Sequence, residues 1–199
     1  MKRNHFKRFA ALALSAVCGA ACLAGCGMQP TAATALETIQ QPKTGSYEDW
    51  ELIQQTRQEN PVSESTFTAL DHFAYTTAAQ VLGEDADGSY SPLSLYYALA
   101  LAATGAAGET QTQMLDLLGI SDPAQLSDQC AKLYRLLIRD NEVGTLRLAN
   151  SLWMDQRVDW KQSFVTQAAQ DFYAEVYQVD FTTDEAPQAM AQWVAQQTG

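Results

Sequence analysis

Lysine and arginine are scarce, 12 against 23 aspartates and glutamates, which leaves a net charge of −11 over 199 residues. A nucleic-acid surface needs clustered cations to replace phosphate counterions, so no nucleic-acid partner is expected. Histidine is scarcer still, and beyond residue 26 only His72 and Cys130 remain of the His and Cys complement. One histidine and one thiol are too few parts for a zinc site or a Ser-His-Asp hydrolase. There is no glycine-rich phosphate loop, metal-ligand spacing, internal repeat or low-complexity tract. The sequence therefore points to a protein that is not an enzyme and needs no cofactor. Its apolar share of 47% with 18% charge is that of a folded chain rather than a disordered one. No apolar run reaches the roughly 20 residues of a membrane span.

What is present begins at the N-terminus. Lys2, Arg3, Lys7 and Arg8 form a basic start, no acid occurs before Glu37, and Phe9–Leu23 is an apolar run of small residues. At about 15 residues it has the length of a signal core. It closes on Leu23-Ala24-Gly25-Cys26, which resembles the lipobox of bacterial lipoproteins. That resemblance implies cleavage before Cys26 and acylation of its thiol. Two or three acyl chains hold a protein on a bilayer where one gives marginal binding. The expected location is a bacterial cell surface, lipid-anchored on the extracytoplasmic side, or secretion if the lipobox is not used. Cys18 and Cys22 leave with residues 1–25, so Cys130 stays as a lone thiol on an apolar helix face, a buried small hydrophobe, and no intrachain disulfide is expected.

Residues 26–62 are polar and rich in Gln, Thr and Pro, and read as a spacer with a short helix over 47–58. The folded body is expected over 63–199. Phe67, Leu70, Phe73, Ala74, Ala78, Val81 and Leu82 recur at helical spacing, with Gly83 as the stop. Ser91-Pro92 is an N-cap followed by Pro at the first helical position, and no charge occurs from Leu93 to Ala107, so this helix must be buried on most sides. Thr110-x-x-Gln113 reads as a capping box and Asp122-Pro123 opens a further helix. Leu146, Leu148, Leu152 and Met154 alternate as in a strand, a helix follows around Phe164 and Ala168, residues 174–181 are extended, and 184–197 is helical. Helices first, then strands interleaved with helices, favour an α+β fold.

Several segments are more specific. Tyr90-Ser91-Pro92-Leu93-Ser94-Leu95, Gly105-Ala106-Ala107-Gly108-Glu109-Thr110 and Leu148-Ala149-Asn150-Ser151-Leu152-Trp153 resemble the serpin family. So do Phe172-Tyr173-Ala174-Glu175-Val176, Val179-Asp180-Phe181 and Trp193-Val194, in the family's order and spacing. Asp87 and Ala191 stand where the family carries asparagines. The resemblance implies the N-terminal half of a serpin domain, and the chain is read as a fragment. It also implies a target serine (or cysteine) protease, inhibited in a single turnover when an attacked loop inserts into the main sheet. Ser91, Pro92, Ser94 and Asn150 would form the shutter beneath that sheet, and the helix bearing Trp193 would cross its face. The reactive bond is not expected in this chain, and the strands near Asn150 and Val176 would keep open edges. The alternative is a non-inhibitory serpin-fold binding module on the cell surface.

Overall fold

The computed structural model describes residues 33–83 and 88–198. Cys26 and Asp87 lie outside them. The elements run β1 (Thr34–Ala35), α1 (Trp50–Glu59), α2 (Glu64–Val81), α3 (Pro92–Gly105), α4 (Gly108–Leu118) and α5 (Pro123–Leu137). They continue β2 (Arg139–Asp140), β3 (Thr145–Leu146), β4 (Asn150–Asp155), α6 (Gln162–Asp171), β5 (Ala174–Val179) and α7 (Glu185–Thr198). The α+β expectation holds. Among the described residues no helix is long and apolar enough to cross a membrane.

Side-chain caps start most of the helices. Ser91 Oγ accepts from the Ser94 amide at 3.3 Å, Asp122 Oδ1 from Ala124 at 2.9 Å, and Ser63 Oγ from Thr66 at 3.2 Å. Each satisfies an amide that the first helical turn leaves without a partner. The expected capping box is not formed. α4 starts three residues earlier than that box would place it, at Gly108 with φ 61°, Ala107 gives no side-chain cap, and Gln113 reaches Glu109 instead. A glycine at positive φ lets the chain reverse out of α3 before Thr110 is reached. Gly83 follows α2 but is not left-handed, because Leu82 closes the helix in extended backbone.

Gly119 does end α4 in the left-handed region, at φ 70°, with its amide and that of Ile120 bonded to Asp116 and Leu115 carbonyls. A Cβ built there would lie 2.9 Å from Ala69 Cβ on α2. Backbone strain and the clash act together. Gly119→Ala is expected to cost about 2 kcal/mol, read from the urea midpoint.

The buried centre joins α2, α3, α4 and α5 to one face of the sheet. Phe73 packs edge-on against Tyr96 at 5.2 Å, and Tyr134 stacks on Tyr173 at 4.0 Å. Two tyrosine hydroxyls in this core find main-chain carbonyls: Tyr96 donates to Leu118 and Tyr97 to Cys130, at 3.2 and 2.7 Å. Burial pushes the Tyr96 and Tyr97 hydroxyls well above their ordinary titration range. Tyr173 sits at φ 51°, a costly conformation for a bulky side chain. The ring stack and a 2.7 Å bond from Arg135 Nε to its hydroxyl hold it there. Leu126, Cys130 and Leu133 are buried on one face of α5, as their spacing predicts.

β4 and β5 are parallel, in register from Asn150↔Ala174 to Asp155↔Val179, with α6 as the crossover. β1 adds antiparallel to the far side of β5, pairing Thr34 with Gln178 and Ala35 with Tyr177. The sheet order is therefore β1-β5-β4, and the outer edge of β4 is unpaired among the described residues. The expectation of an open edge near Val176 is corrected: the Leu36 amide donates to the Val176 carbonyl at 2.8 Å. Residues 34–60, which composition reads as part of a polar spacer, lie against the body. Leu36 and Ile39 pack on the core, Tyr134 donates to Gln41, and Ser46 donates to Glu142 at 2.7 Å. The extended stretch expected from Leu146 is broken at 147–149, so β4 begins at Asn150.

Asp171 closes α6 at the end where the helix dipole disfavours a negative charge. Burial, only partly offset by Gln167 and Arg135, raises its carboxyl above the usual range. A raised carboxyl ionises more readily in the unfolded chain. Its cost is therefore present at neutral pH and fades as pH falls through the folded value towards the unfolded one. Asp171→Asn is expected to raise the melting temperature at pH 7 and to flatten the gain that the parent shows on moderate acidification. Scanning calorimetry across that window reads both.

Candidate functional site

The unpaired edge of β4 adjoins one face of α3. Between them is a cavity of about 290 Å³ whose walls include Ser94, Tyr97 and Leu101 from α3, Arg147 and Leu148 ahead of β4, Asn150 and Ser151 from β4, and Trp193 from α7. Sequence and fold meet here simply. Ser91 caps α3, which places Ser94 one turn in. Its hydroxyl donates to Ser91 Oγ at 2.8 Å, and both residues are exposed. Asn150 is half-buried at the start of β4 and donates to the Phe172 carbonyl at 2.8 Å, tying β4 to the chain just ahead of β5.

Of the four residues singled out in the sequence, Ser94 and Asn150 share this cavity. Ser91 and Pro92 build the helix start beside it without lining it. Trp193 is buried, and its indole donates to Glu175 at 3.0 Å, which seats α7 on β5. Glu175 also accepts from the Tyr177 hydroxyl, and burial first, then this bond, pushes that hydroxyl up. Trp153 stacks on Tyr177 at 4.7 Å across the β4–β5 pair. His72 is exposed on α2, and among the described residues no group of acids, histidines and cysteines could hold a metal ion. Arg147 is the charged side chain on the cavity wall, and the Tyr97 hydroxyl there is engaged with the Cys130 carbonyl. The arrangement is therefore suited to packing and backbone pairing rather than to proton transfer.

A helical half laid on a sheet, with a parallel βαβ pair beside a capped, uncharged helix, defines the class. The family model Serpin (serine protease inhibitor) matches residues 68–199. The chain belongs to the serpin family. It is 31% identical to Serpin-Z7 of Hordeum vulgare over 115 residues, covering 53% of this chain and 29% of that protein. It is 30% identical to Serpin B6 of Pongo abelii over 126 residues, covering 60% and 34%. The thermophilic serpin Tengpin, solved in the latent state, superposes with a TM-score of 0.64 at 24% identity, over 69% of this chain and 37% of that one. Arabidopsis AtSerpin1 in its native stressed conformation gives 0.52 at 22% identity, over 67% and 34%. The chain spans about a third of the length of these relatives.

Proposed function

We propose that the full-length protein is a membrane-tethered serpin, a suicide-type inhibitor of serine proteases, with cysteine proteases as the lesser class of target. One observation carries the reading: the family model of serine protease inhibitors matches residues 68–199, where the β4–α6–β5 unit lies beside a capped, apolar helix. A strand added to a sheet pairs its amides and carbonyls and runs downhill, and burial of its side chains adds to it. Ser91, Pro92, Ser94 and Asn150 are the shutter in this reading, and the cavity that Ser94 and Asn150 share supports it. Trp193 anchors the gate helix. Residues 1–25 are the signal segment and Cys26 takes the lipid, with the serpin body over 63–199.

Incubation of the full-length protein with a panel of serine proteases is expected to give an equimolar complex that survives SDS. Cleavage without complex at every protease removes the inhibitor reading and leaves the binding module. Labelled fatty acid is expected to enter the parent and not Cys26→Ala, with the variant leaving the membrane fraction. Equal labelling of both ends the lipid assignment.

A further inference from the structure

On another face of the molecule, residues 43–57 close over the end of α5 and enclose a cavity of about 530 Å³. Its composition is at odds with the rest of the chain. In a protein of net charge −11, half of the lysines and arginines that follow residue 25 line this one space: Lys43, Arg57, Arg135 and Arg139. Arg135 is spent on Asn60 and the Tyr173 hydroxyl. The side chains of Lys43, Arg57 and Arg139 are exposed and make no hydrogen bond or ion pair to another side chain or carbonyl among the described residues. Asp140, the carboxylate on the wall, is taken by Arg147 at 3.8 Å and Thr145 at 3.1 Å. Glu142, nearby, is taken by Ser46 and the Tyr47 amide.

Thr44, Ser46, Thr56 and Asn141 add uncharged polar groups to the wall. Ile53, Phe67, Leu133 and Leu137 contribute to its apolar part, and Tyr47 and Trp50 stand at 49% and 60% exposure with their rings 6.4 Å apart. Large aromatic side chains left half in water beside cations without counter-charges are the two halves of one recognition surface. Aromatic faces take an apolar body, and guanidinium and ammonium groups take a carboxylate or sulfonate. The volume is that of a site for an ordinary small organic ligand.

We propose that this cavity binds a small amphipathic organic anion, one acidic group on an aromatic or aliphatic body, with Lys43, Arg57 and Arg139 meeting the acid and Trp50, Ile53 and Phe67 the body. A bare anion would leave the apolar part of the wall uncovered, and a neutral hydrophobe would leave the three exposed cations with water alone. The proposal is independent of protease inhibition.

The test uses the full-length protein and two fluorescent probes of one shape, 8-anilinonaphthalene-1-sulfonate and the uncharged N-phenyl-1-naphthylamine. Saturable binding of the sulfonate at one site per chain is expected, with displacement by dodecanoate and not by inorganic phosphate. R57E/R139E is expected to weaken the sulfonate by about tenfold or more while the neutral probe changes by less than about twofold. R57Q/R139Q, which removes the charges without reversing them, gives a smaller loss in the same direction and covers a failure of the first variant to fold. Near-ultraviolet circular dichroism confirms that the aromatic core is unchanged. Unsaturable binding, equal affinity in parent and variants, displacement by inorganic phosphate alone, or binding confined to phosphatidylglycerol vesicles each overturns the proposal.

Discussion

Phe73→Ala is expected to remove about 3–5 kcal/mol of unfolding free energy, towards the upper end of that range. Phe73 is 1% exposed and packs edge-on against Tyr96, itself 1% exposed. A cavity costs least where its walls can move in. Here they cannot easily do so, because the Tyr96 hydroxyl is tied to the Leu118 carbonyl and Thr77, one turn along α2, is bonded to the Phe73 carbonyl at 2.6 Å. Phe73→Leu keeps most of the volume and is expected to cost about 1–2 kcal/mol. Urea titration of both, with the slope compared to the parent, separates lost packing from a changed unfolded state. A loss below about 1 kcal/mol for Phe73→Ala would mean that α2 does not seal this core.

Cys130 is expected to resist thiol reagents by about a thousandfold relative to an exposed cysteine at pH 8. Burial, then the negative charge of Asp171, pushes its thiol from 9.0 up to about 12. The thiolate is the reactive species, and at pH 8 its fraction falls from about a tenth to about one in ten thousand. The side chain is 2% exposed, and the carbonyl of the same residue is held by the Tyr97 hydroxyl at 2.7 Å, so α5 cannot turn it outwards without breaking the core. Mass spectrometry of the peptide containing Cys130, after timed exposure to N-ethylmaleimide, reads the rate. Urea should restore ordinary reactivity, whereas fast modification in buffer would show that α5 opens.

Both expectations rest on parts of the fold that the sequence makes legible. Ser91-Pro92 and Asp122-Pro123 announce α3 and α5 through local capping chemistry, and the helical spacing of Leu126, Cys130 and Leu133 fixes which face goes inwards. The strand pair was legible through alternation and resemblance together, since Leu152 and Met154 alone do not say whether β4 pairs on one side or two. The cavity beside α3 was legible only in part. The cap identifies Ser91 and so places Ser94 one turn into α3, but nothing local brings Asn150 to the same cavity as Ser94, because that depends on the parallel pairing of β4 with β5.

What composition concealed is the N-terminal segment. Thr34–Ala35 is a two-residue strand in a Gln-, Thr- and Pro-rich stretch, and its pairing is decided by the exposed edge of β5 more than 130 residues away. Leu36 and Ile39, the apolar residues that pack on the core, were its only local signal. The cationic cavity was invisible for the same reason: Lys43 and Arg57 join Arg139 only once α1 docks on α5. The false capping box at Thr110 shows the converse, a correct local motif overruled by a glycine two positions ahead of it.

The strap that Thr34 and Ala35 lay on β5 covers backbone that a bare flank would present to another chain. With residues 34–36 in place, β5 from Val176 to Gln178 is already paired on that side and gives a stranger no row of amides and carbonyls to template on.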